Sequence, residues 1–199
     1  MSELCDLKLF AALHTMVANF KTIQQGIFNN EEAALAQLHQ AFYGKLYQFA
    51  RAMLHNSEVA EEIVEDVFVK LWCNRTNITT IDNITVYLYV AVKNSCLNYI
   101  SRKAKGLITV PFDFLDIEIN EEHTSPQDIL ITAEMTQQMH KAIEALPPRC
   151  KMIFKLVRED GLKYREVAQV LNISVNTIDV QMAIAVKRIC SALGIEKVK

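Results

Sequence analysis

The sequence of 199 residues predicts an all-α protein with two helical domains joined by an acidic linker. Apolar residues recur at three- and four-residue spacing along most of the chain, which is the period of a helix with one buried face. The chain has only 5 glycines and 4 prolines, too few for the many turns of an all-β fold. We find no stretch that predicts a strand of useful length, and no internal repeat.

The first predicted element is an N-terminal helical extension, residues 1–30. Its apolar stripe runs over Leu9–Phe20 and ends near Gly26. The pair Asn29-Asn30 then provides good N-caps, because a short side-chain oxygen accepts a hydrogen bond from a free N–H group of the first turn. We therefore expect the first domain to begin at residue 31.

The first domain is predicted over residues 31–105. After a long amphipathic helix, Ser57 is expected to cap the next helix, and a last helix is expected from about Val86 to Ala104. Between these two helices, the stretch Asn74–Thr85 is rich in Asn and Thr and predicts a loop.

The linker is predicted over residues 106–127, a stretch with two prolines, a polar run and no Lys or Arg. Its charge changes the interpretation of the whole composition. The formal net charge of -2 argues against a nucleic-acid-binding protein, but residues 106–140 carry -7 and residues 141–199 carry +5. The sequence therefore predicts a basic module behind an acidic tether.

The second domain is predicted over residues 128–199. A helix is expected over about Asp128–Leu146 and another from Pro147-Pro148 to about Glu159, with Gly161 ending it.

The most specific local pattern follows Gly161 and predicts a helix-turn-helix. A short helix over Tyr164–Leu171 is followed by Asn172, which tolerates the left-handed turn conformation, and by Ser174, a good N-cap for a final helix over Val175–Leu193. The second helix of such a unit enters the major groove of DNA. Apolar side chains that can pack the two helices together, and one small residue that permits their close approach, are Val167, Leu171, Ile173, Ile178 and Ala168.

Two sets of motifs resemble the sigma factors of bacterial RNA polymerase. The runs 146–154 and 159–168 are similar to region 4 of the sigma-70 family. Upstream, the run 60–72 is similar to the polymerase-binding helix of region 2, and the run 87–99 to its −10 recognition helix. The resemblance covers about residues 31–193 and fits the extracytoplasmic function (ECF) subfamily, which has only these two regions.

The resemblance implies a function and partners. The protein is expected to bind core RNA polymerase, at the β′ clamp helices and the β flap, and to direct initiation at promoters through their −10 and −35 elements. The resemblance also suggests an anti-sigma factor as a further partner. The linker has to reach between the elements: about 21 residues extend to about 70 Å, and elements about 17 base pairs apart are separated by roughly 58 Å.

The resemblance assigns residues to three sites. The polymerase-binding residues are expected to be Glu61, Glu62, Ile63, Glu65, Asp66 and Phe68. The −10 element, with unpaired bases to stack and phosphates to neutralise, is expected to meet Tyr87, Tyr89, Lys93, Asn94, Asn98, Arg102 and Lys103. The −35 element is expected to meet Lys163, Arg165, Asn176, Thr177, Gln181, Ile184, Lys187 and Arg188.

The last helix departs from the family pattern. Lys163 stands where Ser or Thr commonly caps the first helix of the pair, and Cys190 stands where an Arg often closes the second. Ile184 and Val180 occupy positions that are often basic, and their side chains offer two alternatives: contact with thymine methyl groups, or a surface for a partner. The sequence therefore predicts an unusual −35 element or a weak grip on it.

Other classes of function fit less well. The five histidines form no i, i+4 metal pair and no Gly-rich phosphate loop is present, so we expect neither an enzyme nor a metal or other cofactor. Five widely spaced cysteines without a Cys-x-x-Cys pair predict a reduced, cytoplasmic protein. No apolar run approaches the roughly 18–20 residues that a membrane span needs, so we expect no insertion into membranes. Cys73 and Cys96 lie in apolar helical patterns and are expected to be buried. Two alternatives stay open: a stand-alone helix-turn-helix regulator, and a sigma-like protein that binds a partner without reading DNA.

Overall fold

A computed structural model describes residues 20–103 and 130–194 of the chain. All regular elements in these two stretches are helical, which confirms the predicted fold class. Residues 20–28 form α1. The other helices are α2 (Glu32–Leu54), α3 (Ser57–Cys73), a 3₁₀ helix (Arg75–Thr80), α4 (Ile84–Lys103), α5 (Leu130–Glu144), α6 (Pro148–Arg158), α7 (Tyr164–Leu171) and α8 (Val175–Ala192). The predicted linker and the first 19 residues of the predicted extension lie outside the described residues.

Two predicted boundaries are corrected by local hydrogen bonds, and one predicted loop is partly helical. The N-cap of α3 is Asn56 and not Ser57, because the Asn56 side chain accepts from the N–H of Val59 at 3.0 Å. Helix α4 begins at Ile84, earlier than predicted, since the Asn83 side chain accepts from the N–H of Val86 at 3.1 Å. The predicted loop before α4 contains a 3₁₀ helix.

Helix α1 packs into the first domain. Ile23 and Ile27 are buried in its core, and the Phe20 ring lies 5.2 Å from that of Phe42. The buried Gln24 side chain donates to the carbonyl oxygens of Ile78 at 2.8 Å and Ile81 at 2.9 Å. Helix α1 therefore holds the segment between α3 and α4 in place, because two carbonyl groups there depend on Gln24.

The first domain is a bundle in which α2, α3 and α4 pack against each other in pairs. Their apolar stripes have the helical spacing that the sequence predicts, and each stripe faces the other two helices. The largest fully buried side chains of the bundle are Leu38, Leu46, Val64, Leu88, Tyr89 and Val92.

The second domain is built around α8, which packs against α5, α6 and α7. A small apolar cluster joins α5, the start of α6 and the end of α8, where Ala142, Cys150 and Ile189 meet. Beside it, the carboxylate of Glu144 lies 3.0 Å from the ammonium of Lys151, which is buried, and 3.5 Å from that of Lys155. This ion cluster fixes α6 against the end of α5, because the Glu144 carboxylate supplies the opposite charge for both lysine ammonium groups.

The two domains are packed against each other and share one apolar core. Helix α4 contacts α7 directly. The buried cluster that contains Leu88 and Val92 of α4 continues into Met152 of α6, Val167 of α7 and Leu162 between these two helices. The described parts of the chain therefore form a closed arrangement of the two regions. Neither part contains a helix long and apolar enough to cross a bilayer.

Glycine at position 26 is required by the close approach of α1 to α2. A Cβ atom on Gly26 would lie 2.7 Å from the Cβ of Ala34, which is fixed to its backbone and cannot turn away. We expect Gly26→Ala to destabilise the protein by about 1–2 kcal/mol, because the clash outweighs the better helix propensity of Ala.

The matched control is Gly44→Ala, since Gly44 lies in α2 and a Cβ there meets nothing within 4 Å. This change should be neutral or stabilise by up to about 1 kcal/mol. Urea unfolding followed by circular dichroism measures both variants, and equal free energies of unfolding for the two would contradict the packing role of Gly26.

Candidate polymerase and promoter interfaces

Four of the exposed acidic side chains of α3 form a group that we call the acidic ridge: Glu61, Glu62, Glu65 and Asp66. Two other residues predicted for the same site, Ile63 and Phe68, are buried in the core of the bundle. The prediction that they form part of a docking surface is wrong for this arrangement, because helical spacing turns both of them toward α2 and α4. The ridge is therefore polar, with its apolar support beneath it.

Neighbours on α2 engage two of the four ridge carboxylates. The His39 ring lies 3.2 Å from Glu65, and the Tyr43 hydroxyl donates to Glu61 at 3.5 Å. Burial, followed by the charges of Glu61 and Glu65, raises the pKa of Tyr43, so its hydroxyl keeps the proton that it donates. Asp66 lies 3.7 Å from Lys70 on its own helix. Among the described residues, Glu62 has no ion-pair or hydrogen-bond partner, which leaves its charge available to another molecule.

Helix α4 divides the residues predicted for the −10 element into two groups. Tyr89 and Lys93 are buried, so the prediction that they face DNA is wrong for this arrangement. They lie on the inner side of α4 because that helix packs on both α2 and α7. The exposed residues follow one line along the helix at intervals of seven and four residues. This line, which we call the polar stripe, consists of Tyr87, Asn94, Asn98 and Arg102, with Lys103 exposed beside it.

The two buried residues of α4 have structural surroundings. The Tyr89 ring meets Phe49 edge-on at 5.3 Å, and its hydroxyl donates to Asp160 at 2.6 Å. Burial, and then the charge of Asp160, raises the pKa of Tyr89, so the phenol stays protonated. Burial lowers the pKa of Lys93. Burial also raises the pKa of the Cys96 thiol to about 12, so this cysteine, buried as predicted, is an unreactive core residue.

The segment between α3 and α4 is held at several points. The Arg75 guanidinium lies 4.9 Å from the centre of the Trp72 ring and donates to the Trp72 carbonyl at 3.1 Å. Ile78 is buried, whereas Asn77 is exposed. Cys73, expected to be buried, is exposed because it lies at the end of α3, where the stripe no longer faces a partner.

The helix-turn-helix has the predicted geometry. Asn172 has a φ of 57°, the left-handed conformation that turns the chain between α7 and α8. The Ser174 hydroxyl accepts from the N–H of Thr177 at 3.0 Å and so caps α8. Val167, Leu171 and Ile178 are buried between the helices. These contacts fix the direction in which α8 leaves the domain.

Most residues predicted for the −35 element are exposed. Gln181 and Thr177 are partly buried, and the Thr177 hydroxyl lies 2.8 Å from that of Ser174, so it takes part in the cap. The exposed group comprises Lys163, Arg165, Asn176, Ile184, Lys187 and Arg188. Val180 is exposed beside Ile184, so the outer face of α8 is apolar at its centre and charged toward its end.

The missing cap of α7 is replaced from within the helix. Glu166 accepts a hydrogen bond from the Lys163 N–H at 2.7 Å, which is the half of a capping box that does not require Ser or Thr. The other oxygen of Glu166 accepts from the side chain of Asn83 at 2.7 Å. One carboxylate therefore caps α7 and binds the residue that caps α4.

Four residues with distinct roles were absent from the predicted sites: His39, Asn83, Asp160 and Glu166. The α3 partner of His39 lies 26 residues away, and the partners of Asn83 and Asp160 in the other domain lie more than 70 residues away. The caps that Asn83 and Glu166 make on their own helices follow local sequence rules: an Asn before the first turn, and an acidic residue three positions after the N-cap.

Two family descriptions match the chain in the order that the motifs predict. Sigma-70 region 2 matches residues 38–106, and sigma-70 region 4 matches residues 136–189. Together they cover more than half of the chain. The chain belongs to the sigma-70 family. Its function is that of an RNA polymerase sigma factor.

Curated relatives place this sigma factor in the ECF group. It is 24% identical over 170 residues to the ECF RNA polymerase sigma factor SigW of Bacillus subtilis, covering 79% of this chain and 87% of SigW. It is also 24% identical over 123 residues to the ECF RNA polymerase sigma-E factor of Escherichia coli K12, covering 59% of this chain and 64% of sigma-E. The chain therefore spans less than two thirds of sigma-E.

A solved structure has the same fold. CnrH, determined in complex with the cytosolic domain of CnrY, aligns with a TM-score of 0.53 and 15% sequence identity over 90% of this chain and 99% of that one.

We expect Ser174→Ala to destabilise the helix-turn-helix by about 1 kcal/mol, because the N–H of Thr177 loses its partner at the start of α8. The matched control is Ser191→Ala, an exposed position in the last turn of the same helix. Thermal unfolding followed by circular dichroism compares the two, and an equal loss in both variants would contradict the capping role.

Proposed function

We propose that this sigma factor uses the acidic ridge to bind core polymerase, the polar stripe to hold the melted −10 element, and the outer face of α8 to read the −35 element. One observation carries the proposal. On α3, α4 and α8 alike, one side of the helix is buried in the core while the residues of the proposed contact lie on the side that faces water.

The acidic ridge supports binding to a basic surface of the β′ clamp helices. Its carboxylates project from a helix that is rigid because Ile63, Val64 and Phe68 anchor it in the core. Glu62 is the residue on which we expect affinity to depend most, since its charge has no partner among the described residues and needs none broken before it meets a cation.

The polar stripe supports binding to single-stranded DNA. Tyr87 offers an exposed ring on which a base can stack, and Asn94 and Asn98 offer amide donors and acceptors along the same line. Arg102 and Lys103 add positive charge in the last turn of α4, where phosphates are neutralised without competition from acidic neighbours on that helix. The β flap and the segment before α4 remain expected contacts of the same complex.

The outer face of α8 supports reading of a −35 element that contains thymine. Asn176 stands in the first turn of the helix, the part that contacts base edges in this class of motif. Val180 and Ile184 offer apolar contacts, and a thymine methyl is the apolar group that the major groove presents. Lys187 and Arg188 lie further along, where they suit phosphates.

A second protein partner is also proposed. The structural neighbour CnrH was solved with the cytosolic domain of CnrY, and a regulatory partner of this kind, an anti-sigma factor, would act on this chain by covering the surfaces named above. We place this action in the cytoplasm, where core polymerase works.

Run-off transcription tests the proposal. Core polymerase is supplied with and without the protein on a library of promoter fragments, and a promoter-dependent product is expected only with the protein. DNA binding of equal affinity without core polymerase would favour a stand-alone regulator. Core binding without any promoter-dependent product would favour a sigma-like interaction protein.

We expect Glu62→Lys to weaken core binding about tenfold or more, because a repulsive contact replaces an attractive one at the interface. The matched control is Glu32→Lys, which makes the same charge change at an exposed position at the start of α2. Fluorescence anisotropy with labelled protein measures both affinities for core polymerase. Equal affinities of the two variants would exclude the acidic ridge as the docking surface.

Two substitutions on α8 separate phosphate contact from base reading. Lys187→Ala should weaken holoenzyme binding to all promoter sequences and reduce the slope of log affinity against log salt by about one. Ile184→Ala should leave that slope unchanged and reduce discrimination between thymine and other bases by roughly 1 kcal/mol at one −35 position. Filter binding over a range of salt concentrations measures both, and identical profiles for the two variants would refute the assignment.

A further inference from the structure

The two regions are joined by polar contacts at two places. At one, Asn83, the cap of α4, donates to Glu166, the cap of α7, at 2.7 Å. At the other, Asp160 lies between the domains. Its carboxyl accepts from the Tyr89 hydroxyl of α4 at 2.6 Å, and its backbone carbonyl accepts from the ammonium of Lys45 of α2 at 3.4 Å.

The chain geometry at the end of α6 aims Asp160 at the first domain. The N–H of Asp160 bonds to the carbonyl of Lys155 at 3.0 Å, and Gly161 follows with a φ of 78°, which turns the backbone toward α7. Two cavities, of about 230 and 390 Å³, lie between the domains and both are lined by Lys45 and Asp160. The contact between Lys45 and Asp160 therefore borders both cavities, and water can enter them when the domains separate.

We propose that the Asp160 carboxyl is a proton-sensitive latch that holds region 4 on region 2 in the free sigma factor. Its hydrogen bond to Tyr89 is short and partly buried, and it joins elements that are 71 residues apart in sequence. A carboxyl group in such a place can accept the hydrogen bond in both protonation states. Removing it from water, however, costs more free energy when it is charged than when it is protonated.

The sign of the proton dependence follows from the surroundings. Burial raises the pKa of Asp160 to about 6, against the Tyr89 hydrogen bond, which lowers it. The charges of Lys45 and Lys155 also lower it, and that of Glu159 raises it. Other charged groups that line the same cavities are Lys21, Asp82, Lys163 and Glu166.

When the domains separate, Asp160 returns to water and to its ordinary acidity. Closing then takes up a proton, so the closed state is favoured at low pH, and this contribution is lost as pH rises through about 6. We expect the ratio of closed to open molecules to fall about tenfold from about pH 5 to about pH 7.5.

The effect of the latch on transcription rests on the proposed function. In the closed arrangement α7 packs against both α4 and α8, so the two DNA-reading helices approach each other to about 20 Å or less, the sum of two interaxial distances. Promoter elements about 17 base pairs apart are separated by roughly 58 Å. The latch must therefore open before one molecule engages both elements.

The closed fraction is measurable in the full chain without polymerase or DNA. Cys73 in the first domain is exposed and Cys190 in the second is partly exposed, whereas Cys96 and Cys150 are buried. With Cys5→Ser, a donor and an acceptor dye attached to these two positions report domain separation by energy transfer. High transfer at about pH 5 and lower transfer at about pH 7.5 is the expected result.

Three variants test the latch. Tyr89→Phe removes the hydrogen-bond partner of Asp160 and should lower the closed-to-open ratio roughly tenfold at neutral pH. Asp160→Asn keeps an acceptor for Tyr89 without a charge, so it should stay closed at both pH values. Tyr99→Phe, which removes a hydroxyl from another part of α4, is the matched control and should behave as the parent protein.

Three outcomes overturn the proposal: energy transfer in the parent that does not depend on pH, an Asp160→Asn variant with the full pH response, or a Tyr89→Phe variant equal to the control. If Tyr89→Phe loses helical circular dichroism, Lys45→Met replaces it. This variant removes a charge that lowers the pKa of Asp160, so the midpoint of the response must move to higher pH, and an unchanged midpoint refutes the latch. Run-off activity is scored separately, so failure of the proposed function is distinguishable from failure of the latch.

Discussion

The packing of α4 on two sides is the constraint on which the rest of the structure depends. Its inner surface meets α2 and α3 of the first domain and α7 of the second. Leu88, Val92 and Cys96 are wholly buried there, together with Tyr89. A helix buried on two sides has only one narrow line of residues left for water, and that line is the polar stripe. The surface proposed for single-stranded DNA is thus what remains after two domains have used the helix for their cores.

The polar groups at this junction add direction to the apolar packing. Apolar burial is not directional, and it would allow α7 to slide along α4. The pair Asn83 and Glu166 joins the first turns of both helices, so it sets their relative position along the axis. Asp160 joins the end of α6 to the first half of α4. Asn83 and Glu166 also cap their own helices, and the Asp160 N–H bonds to a carbonyl at the end of α6. The same residues therefore define both local structure and domain arrangement.

Prediction from the sequence succeeded where the physical cause is local. Helix α7 and its turn were predicted to the residue, since Asn172 and Ser174 act on backbone groups within four positions. The apolar stripes were also predicted well, because their period depends on helix geometry alone. The errors at Asn56 and Asn83 are small. At the start of α3, Asn56 and Ser57 can both cap, and only the folded backbone shows which of them accepts the bond. The start of α4 was predicted two residues late, at Val86 instead of Ile84.

The site residues were predicted less completely, and the errors share a physical reason. Ile63, Phe68 and Lys93 stand directly beside exposed residues in sequence, and Tyr89 stands two positions from the exposed Tyr87, but a step of one residue turns the side chain by about 100° around the helix. For Tyr89 the sequence is ambiguous, since a tyrosine on such a helix can stack on a base or donate to a buried acid. Cys73 is the opposite case, an apolar position at a helix end with no neighbour left to cover it.

The sequence by itself determined the helices, the helix-turn-helix and the family, because these depend on spacing and on residue types along one stretch of chain. Only the tertiary structure decided which side of α4 faces water, which ridge carboxylates are engaged by α2, and that Asp160 lies against Tyr89. These features depend on pairs of residues 18 to 71 positions apart. Their contact exists only after whole helices have packed, and no short stretch of sequence specifies that event.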